Sequence, residues 1–261
     1  MMMPTNPYIL GSSAATAGPW VPTDIGGCVF WVRPDLGVTK DGSNLISLWA
    51  DQSGNGNNVA QGTAAMKPTW VDNQLNGYPV ISFAANHVLE GLNFLNGSAG
   101  AIFVVGRVES GTINNSVMFA SCDEASAALY CLLLRPWKSS DEPNLCISQE
   151  KNPVFNVMKL NYTTAFGTFY VFSCGSTGTA YIEHINGTAP GFTVRQGSDC
   201  GDWFADTENR DNVTIGGAKW NAYGQMMTGK IAEVIAYDGV SLTPTEFATV
   251  ENYLNNKYAI Y

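Results

Sequence analysis

Along most of the chain the apolar positions fall in short runs rich in Val, Ile, Phe and Tyr, separated by clusters of Gly, Asn, Asp and Pro. β-Branched and aromatic side chains suit a pleated, half-buried surface, and the residues between the runs are those that turns require. The pattern therefore predicts many short strands. They fall at 28–33, 44–49, 79–83, 101–108, 117–120, 129–134, 144–148, 168–174, 179–185, 191–195, 212–215 and 229–237. The last is long and mainly apolar, with Lys230 and Glu233 as its charges, which is how a central strand covered on both faces reads. A hairpin is predicted where 181–185 runs into Asn186-Gly187, because these two residues tolerate the positive φ of a tight turn.

One segment departs from this rhythm. Thr243-Pro244-Thr245-Glu246 forms a capping box with proline in the first turn, and Phe247, Val250 and Leu254 then recur at helical spacing. A short, one-faced helix is expected there, with its apolar stripe on the edge of the sandwich and Tyr258 and Ile260 returning to strand-like contact. At the other end, residues 1–24 hold four prolines and a run of small residues from Gly11 to Gly18, without any hydrophobic period. Such a segment builds no core of its own. The expected organisation is an extended N-terminal arm, 1–24, and a single domain, 25–261.

Composition narrows the class. Hydrophobic residues make up 45% of the 261, enough for a large core, while charged residues are only 13%, about half the usual share. The surface must then be built from Asn, Ser, Thr, Gln and Gly, which favours sheet over exposed helix. A net charge of −9 and the lack of clustered Lys and Arg exclude a nucleic-acid-binding or anionic-lipid-binding surface. No apolar run reaches the ~18 residues of a membrane-spanning helix. The N-terminus has no basic stretch followed by a long apolar one, so export by the general secretory route is not expected. The six cysteines contain no Cys-x-x-Cys pair and read as buried thiols, with Cys122 and Cys131, flanking a turn, as the candidate disulfide.

Three segments in order carry a resemblance. The first is Trp49-Ala50-Asp51-Gln52-Ser53-Gly54-Asn55-Gly56, followed by Asn76-Gly77-Tyr78-Pro79-Val80. The second is Ala101-Ile102-Phe103-Val104-Val105-Gly106-Arg107, answered by Tyr181-Ile182 and the Asn186-Gly187 turn. The third is Val213-Thr214-Ile215-Gly216-Gly217, then Gly229 to Asp238, then Leu242-Thr243 and Val250 to Leu254. Together they resemble the laminin-G-like, concanavalin-A-like jelly-roll domains of phage virion and bacterial surface proteins. The resemblance covers residues 26–261 and implies an all-β jelly-roll sandwich. That fold hosts lectins, glycan hydrolases, adhesion modules and structural parts alike.

Catalysis is not expected. The Glu-x-Asp-x-x-Glu pattern of similar glycan hydrolases is absent, and Asp123 and Glu124, adjacent on an extended chain, point to opposite faces. Only His87 and His184 are present, with no Gly-x-Ser-x-Gly elbow. No cofactor is expected other than calcium, whose candidate ligands are Asp51, Ser53 and Asn55, at alternate positions before Gly56. Residue 62, which would be the bidentate glutamate of such a loop, is Gly62, so a hydrogen-bonded turn without metal competes with this reading. The acidic stretch Asp202, Asp206, Glu208 and Asp211 is a second candidate.

Binding needs an aromatic platform beside hydrogen-bonding side chains. By composition the candidate glycan or partner contacts are Trp203 with Asp206, then Trp220, Asn221 and Tyr223, and Trp137 on a third polar loop. The reading that follows is a non-catalytic virion surface protein, a capsid decoration or head-fibre component. It is expected to assemble as a homo-oligomer, plausibly a trimer, and to dock on a capsid or tail protein through residues 1–24. The alternative is a glycan- or receptor-binding adhesin of a tail tip or of the bacterial cell surface. A glycan hydrolase is the third.

Overall fold

The computed structural model describes residues 18–84, 86–109, 116–125, 131–139, 142–151 and 154–261, with side chains placed for all of these except 131–139, 142–145, 150, 151 and 154. Among them, no helix is long and apolar enough to cross a membrane.

Two antiparallel sheets face each other. In the seven-stranded sheet the order is β14 (Tyr181–Ile185), β13 (Tyr170–Ser176), β8 (Gly100–Val108), β19 (Gly229–Asp238), β6 (Tyr78–Phe83) and β5 (Thr69–Leu75), with β1 (Cys28–Val32) also pairing β19. The ten-stranded sheet runs β15 (Phe192–Gln196), β12 (Val154–Leu160), β11 (Glu142–Lys151), β10 (Cys131–Ser139), β9 (Phe119–Cys122), β16 (Asn212–Ile215), β7 (Leu89–Leu92), β4 (Val59–Ala60), β3 (Ile46–Trp49) and β2 (Val38–Lys40). A separate hairpin, β17 (Ala218–Trp220) and β18 (Ala222–Gly224), turns at Asn221, whose φ is 56°. The fold is the expected all-β jelly-roll sandwich with one C-terminal helix.

All twelve predicted strand segments correspond to strands, 212–215 matching at both ends and the others with shifted ends. The predicted 117–120, for instance, is realised as Phe119–Cys122, and the first two residues of 129–134 lie outside the described residues. The strands missed are either very short, as in β2, β4, β17 and β18, or polar along one face, as in β5, β7 and β12. Their pattern does not stand out from a turn until a neighbour pairs with them.

Alternation divides the apolar residues into two cores. Ile102, Val104, Ile231 and Val234 face the ten-stranded sheet and pack with Trp49, Leu89, Phe119 and Val213. Phe103, Val105, Ile235 and Tyr237 face the other way and pack under α1 (Pro244–Tyr258). The helix begins as expected, with Thr243 Oγ accepting from Glu246 N and Thr243 N donating to the Glu246 carboxylate at 2.8 Å. It covers the outer face of the seven-stranded sheet, not the sandwich edge, and so buries β8 and β19 on both sides. Phe247, Val250, Leu254 and Tyr258 are buried there. Four such side chains contribute roughly 5–10 kcal/mol before ordering entropy is subtracted. Tyr258 is the last helical residue and does not return to strand. Ala259 takes the left-handed conformation at φ 51°, and Asn255 Oδ1 accepts from both Ile260 N and Tyr261 N at 2.9 Å, closing the helix.

Candidate functional site

On the outer face of the ten-stranded sheet, β7 and β16 lie side by side, with Leu92 opposite Asn212 and Glu90 opposite Thr214. Leu89, Val213 and Ile215 point into the core, so Glu90, Leu92 and Asn212 are directed outward. The β17–β18 hairpin lies beside them, held by Ala218 and Trp220 packing on Val117, Ala120 and Cys122. On this face opens a groove of about 380 Å³ lined by Glu90, Gly91, Leu92, Glu124, Asp211 and Asn212, with hairpin side chains bonded to two of these residues but outside the lining.

Polar groups in and around the groove are held in place. Lys219 Nζ lies 3.0 Å from Glu90 Oε1 and 2.9 Å from Glu124 Oε2. The Tyr223 hydroxyl donates to the other oxygen of Glu90. Burial and that bond push the Tyr223 hydroxyl up to about 12. Burial works against the Lys219 charge, but the bonds to Glu124 and Glu90 outweigh it and hold its ammonium above the ordinary lysine range. Asn212 is 4% exposed, and its Nδ2 donates to Asp211 Oδ1 at 2.8 Å and to the Lys219 carbonyl at 3.0 Å. Both partners are acceptors, so the amide orientation is set. Asn212 Oδ1 is then a buried acceptor without a partner among the described residues. Leu92 adds an apolar surface, 86% exposed. Three carboxylates against one ammonium leave the groove acidic, and its oxygens suit hydroxyl donors.

Of the aromatic candidates, the hairpin set stands beside this groove without lining it: Tyr223 bonds Glu90, Trp220 is the half-buried anchor of the hairpin, and Asn221 is its exposed turn, whose N donates to the Glu124 carbonyl. The Trp203 set does not. Trp203 is fully buried in the inner core against Phe204, with ring centroids 5.1 Å apart. Its place depends on Gly100, where a Cβ would stand 2.6 Å from Trp203 Nε1. Asp206 serves the same turn, accepting from Trp203 N at 2.8 Å. Arg210 pins the segment by donating to the Phe204 and Thr207 carbonyls. The acidic stretch is thereby dispersed, with Asp206 in a turn and Asp211 in the groove. The Trp137 side chain lies outside the described residues.

The Asp51 loop is stapled to β1. Asp51 Oδ1 accepts from Trp31 N at 2.9 Å and Ser53 N at 2.8 Å, while Oδ2 accepts from the Ser53 hydroxyl at 2.7 Å and Asn57 N at 3.0 Å. Asn55 Nδ2 donates to the Cys28 carbonyl at 3.0 Å. Neither Asp51 oxygen is left without a donor. Cys122 is a buried free thiol. Leu132 pairs with Ser121, which makes Cys131 the next residue along the ladder from that pair, but its side chain lies outside the described residues.

Sequence reasoning missed Glu90, Asn212 and Lys219, and raised Glu124 only as half of an acidic pair and Asp211 only as part of an acidic stretch, not as members of this site. The only local signal was Lys219 beside Trp220; the carboxylates come from distant segments.

No family model and no curated protein sequence matches the chain. Solved structures share its fold. Domain 4 of an extracellular arabinanase from Geobacillus stearothermophilus, solved with arabinotriose, is 12% identical with a TM-score of 0.57, over 86% of this chain and 98% of that one. An α-L-arabinofuranosidase is 14% identical with a TM-score of 0.54, over 83% of this chain and 52% of that one. The Trypanosoma rangeli sialidase is 10% identical with a TM-score of 0.51, over 88% of this chain and 33% of that one. The chain is thus similar in fold to β-sandwich domains of glycan-active proteins.

Proposed function

We propose that this protein is a non-catalytic glycan-binding β-sandwich acting at an extracellular or cell surface, with the hairpin groove as its ligand site. The observation that carries the reading is the grouping of Glu90, Glu124, Asp211 and Asn212 beside the exposed Leu92. Carboxylate and amide oxygens accept from sugar hydroxyls, and an apolar side chain covers a sugar's C–H face. The arabinanase domain of like fold, solved with arabinotriose, supports glycan as the ligand class. The reading replaces capsid decoration, for which the likenesses in fold give no support. Because the groove is acidic, the ligand is a neutral glycan and not a sialylated or uronic one.

The test is a panel of neutral and acidic polysaccharides with the wild type, Glu90→Gln and Leu92→Ser. Binding to a neutral member, weakened about tenfold, or ~1.4 kcal/mol, by either substitution is expected. Absence of binding across the panel, or a preference for acidic members, overturns the reading.

A further inference from the structure

On the opposite side of the sandwich, residues 19–21 pass beside α1 and with it enclose a slot of about 590 Å³. Trp20 forms one wall, tilted against Tyr253 with ring centroids 5.4 Å apart, and Tyr78 lines the slot as well. The Tyr253 ring is not free to turn away. Its hydroxyl donates to Glu233 Oε1 at 2.9 Å, and Trp31 meets it edge-on at 6.4 Å. Glu233 is itself fully buried and accepts from Trp31 Nε1 at 2.6 Å and from Lys257 and Tyr258 at 2.7 Å each. An aromatic wall anchored this way loses little freedom when a ligand arrives.

The charges beneath the wall cancel. Arg33 forks onto Asp35 through Nε at 2.9 Å and Nη2 at 2.6 Å, and Lys257 spans Asp35 at 3.3 Å and Glu233 at 2.7 Å. Two cations thus meet two carboxylates, and no net charge remains to attract an ion. Asn252 and Asn256, one turn apart on the same helix face, line the slot, and their side-chain amides make no hydrogen bond among the described residues. Each offers a donor and an acceptor.

We propose that this slot is a second binding site, which takes a single neutral sugar ring. The aromatic walls cover its apolar C–H face, and the two amides pair with neighbouring hydroxyls. A volume of this size fits one ring with its substituents. The site is separate from the hairpin groove and does not depend on it.

Free methyl glycosides of glucose, galactose, mannose and arabinose, with N-acetylneuraminic acid as the acidic comparison, are titrated into the full chain while tryptophan emission is followed. The variants are Trp20→Phe, the double variant Asn252→Ala/Asn256→Ala, and Glu90→Gln in the groove. Both asparagines lie on a solvent-facing part of the helix, so the double variant keeps its fold; thermal unfolding checks this. The emission change that Trp20→Phe diminishes is expected to saturate with a neutral glycoside, to weaken about tenfold or more in the double variant, and to persist in Glu90→Gln, which weakens only binding in the groove. Any other pattern overturns the proposal: no saturable change, loss with Glu90→Gln, indifference to the double variant, or tighter binding of N-acetylneuraminic acid. Failure of the groove leaves this result untouched, since the two sites lie on opposite faces.

Discussion

Lys257, in the last turn of α1, donates a 2.7 Å hydrogen bond to Glu233, a fully buried carboxylate in the middle of β19. The pair ties the helix to the central strand, and Glu233 is further satisfied by Trp31, Tyr253 and Tyr258. Burial and the nearby Glu233 charge push the Tyr253 and Tyr258 hydroxyls upward, so both stay protonated donors at any ordinary pH.

Breaking that tie leaves a buried charge short of its counter-ion. Lys257→Met is expected to cost about 3–5 kcal/mol. The double variant Lys257→Met/Glu233→Gln should recover part of this, because no unpaired charge remains. Urea unfolding of the single and double variants measures the coupling; equal losses in both would refute it.

Trp203 is a core residue, and Trp203→Ala should lower stability by about 3–5 kcal/mol through the cavity it leaves. Glycan affinity, measured well below the variant's unfolding temperature, should not change. A selective loss of binding with unaltered stability would return Trp203 to the ligand site.

Gly100 is a steric necessity. An added Cβ would meet the Tyr237 carbonyl at 2.4 Å as well as Trp203 Nε1 at 2.6 Å. Backbone cannot yield as a flexible side chain does, so Gly100→Ala should destabilise by about 2–3 kcal/mol. Gly239→Ala is the comparison. That glycine has open space around its Cβ position but a φ of 72°, so its cost is only the left-handed strain of about 1–2 kcal/mol. Thermal unfolding of the two variants ranks them.

Glu183 sets a pH dependence. Its carboxyl is 3% exposed, accepts from Ile147 N at 3.3 Å, and has Oε2 without a partner among the described residues. Burial raises its pKa well above the ordinary glutamate value, with the Asp199 charge adding to the rise. A folded-state value above the unfolded one means that the native protein holds the proton longer. Its contribution to stability is therefore full below the unfolded value and is lost as pH rises toward the folded one. Wild-type stability should fall between pH 5 and pH 8 more steeply than that of Glu183→Gln. Parallel profiles in chemical unfolding across that range would refute the assignment.

Much of the architecture is legible in sequence because it rests on local chemistry. Turn residues and alternation mark the long strands, and the Thr243–Glu246 box marks the helix start to the residue. The site is another matter. Trp203 and Trp220 both sit among polar and small residues outside the predicted strands, yet one fills the core at Gly100 and the other anchors a surface hairpin. Loop composition does not encode which way a loop folds.

What the sequence determined by itself is the class: an apolar-rich, charge-poor chain of short strands must bury them in stacked sheets, and one capped amphipathic segment must be a helix. Which residues meet was decided by the tertiary structure. Between Ile231, paired with Gly106, and Glu233, paired with Val105, the ladder of β19 on β8 slips at Ala232. Strict alternation from the inward-facing Ile231 would aim Glu233 into the inner core. The extra residue turns it instead toward α1, where Trp31, Tyr253, Lys257 and Tyr258 converge on it. A one-residue slip in pairing leaves no mark in composition or period, because it exists only between two strands.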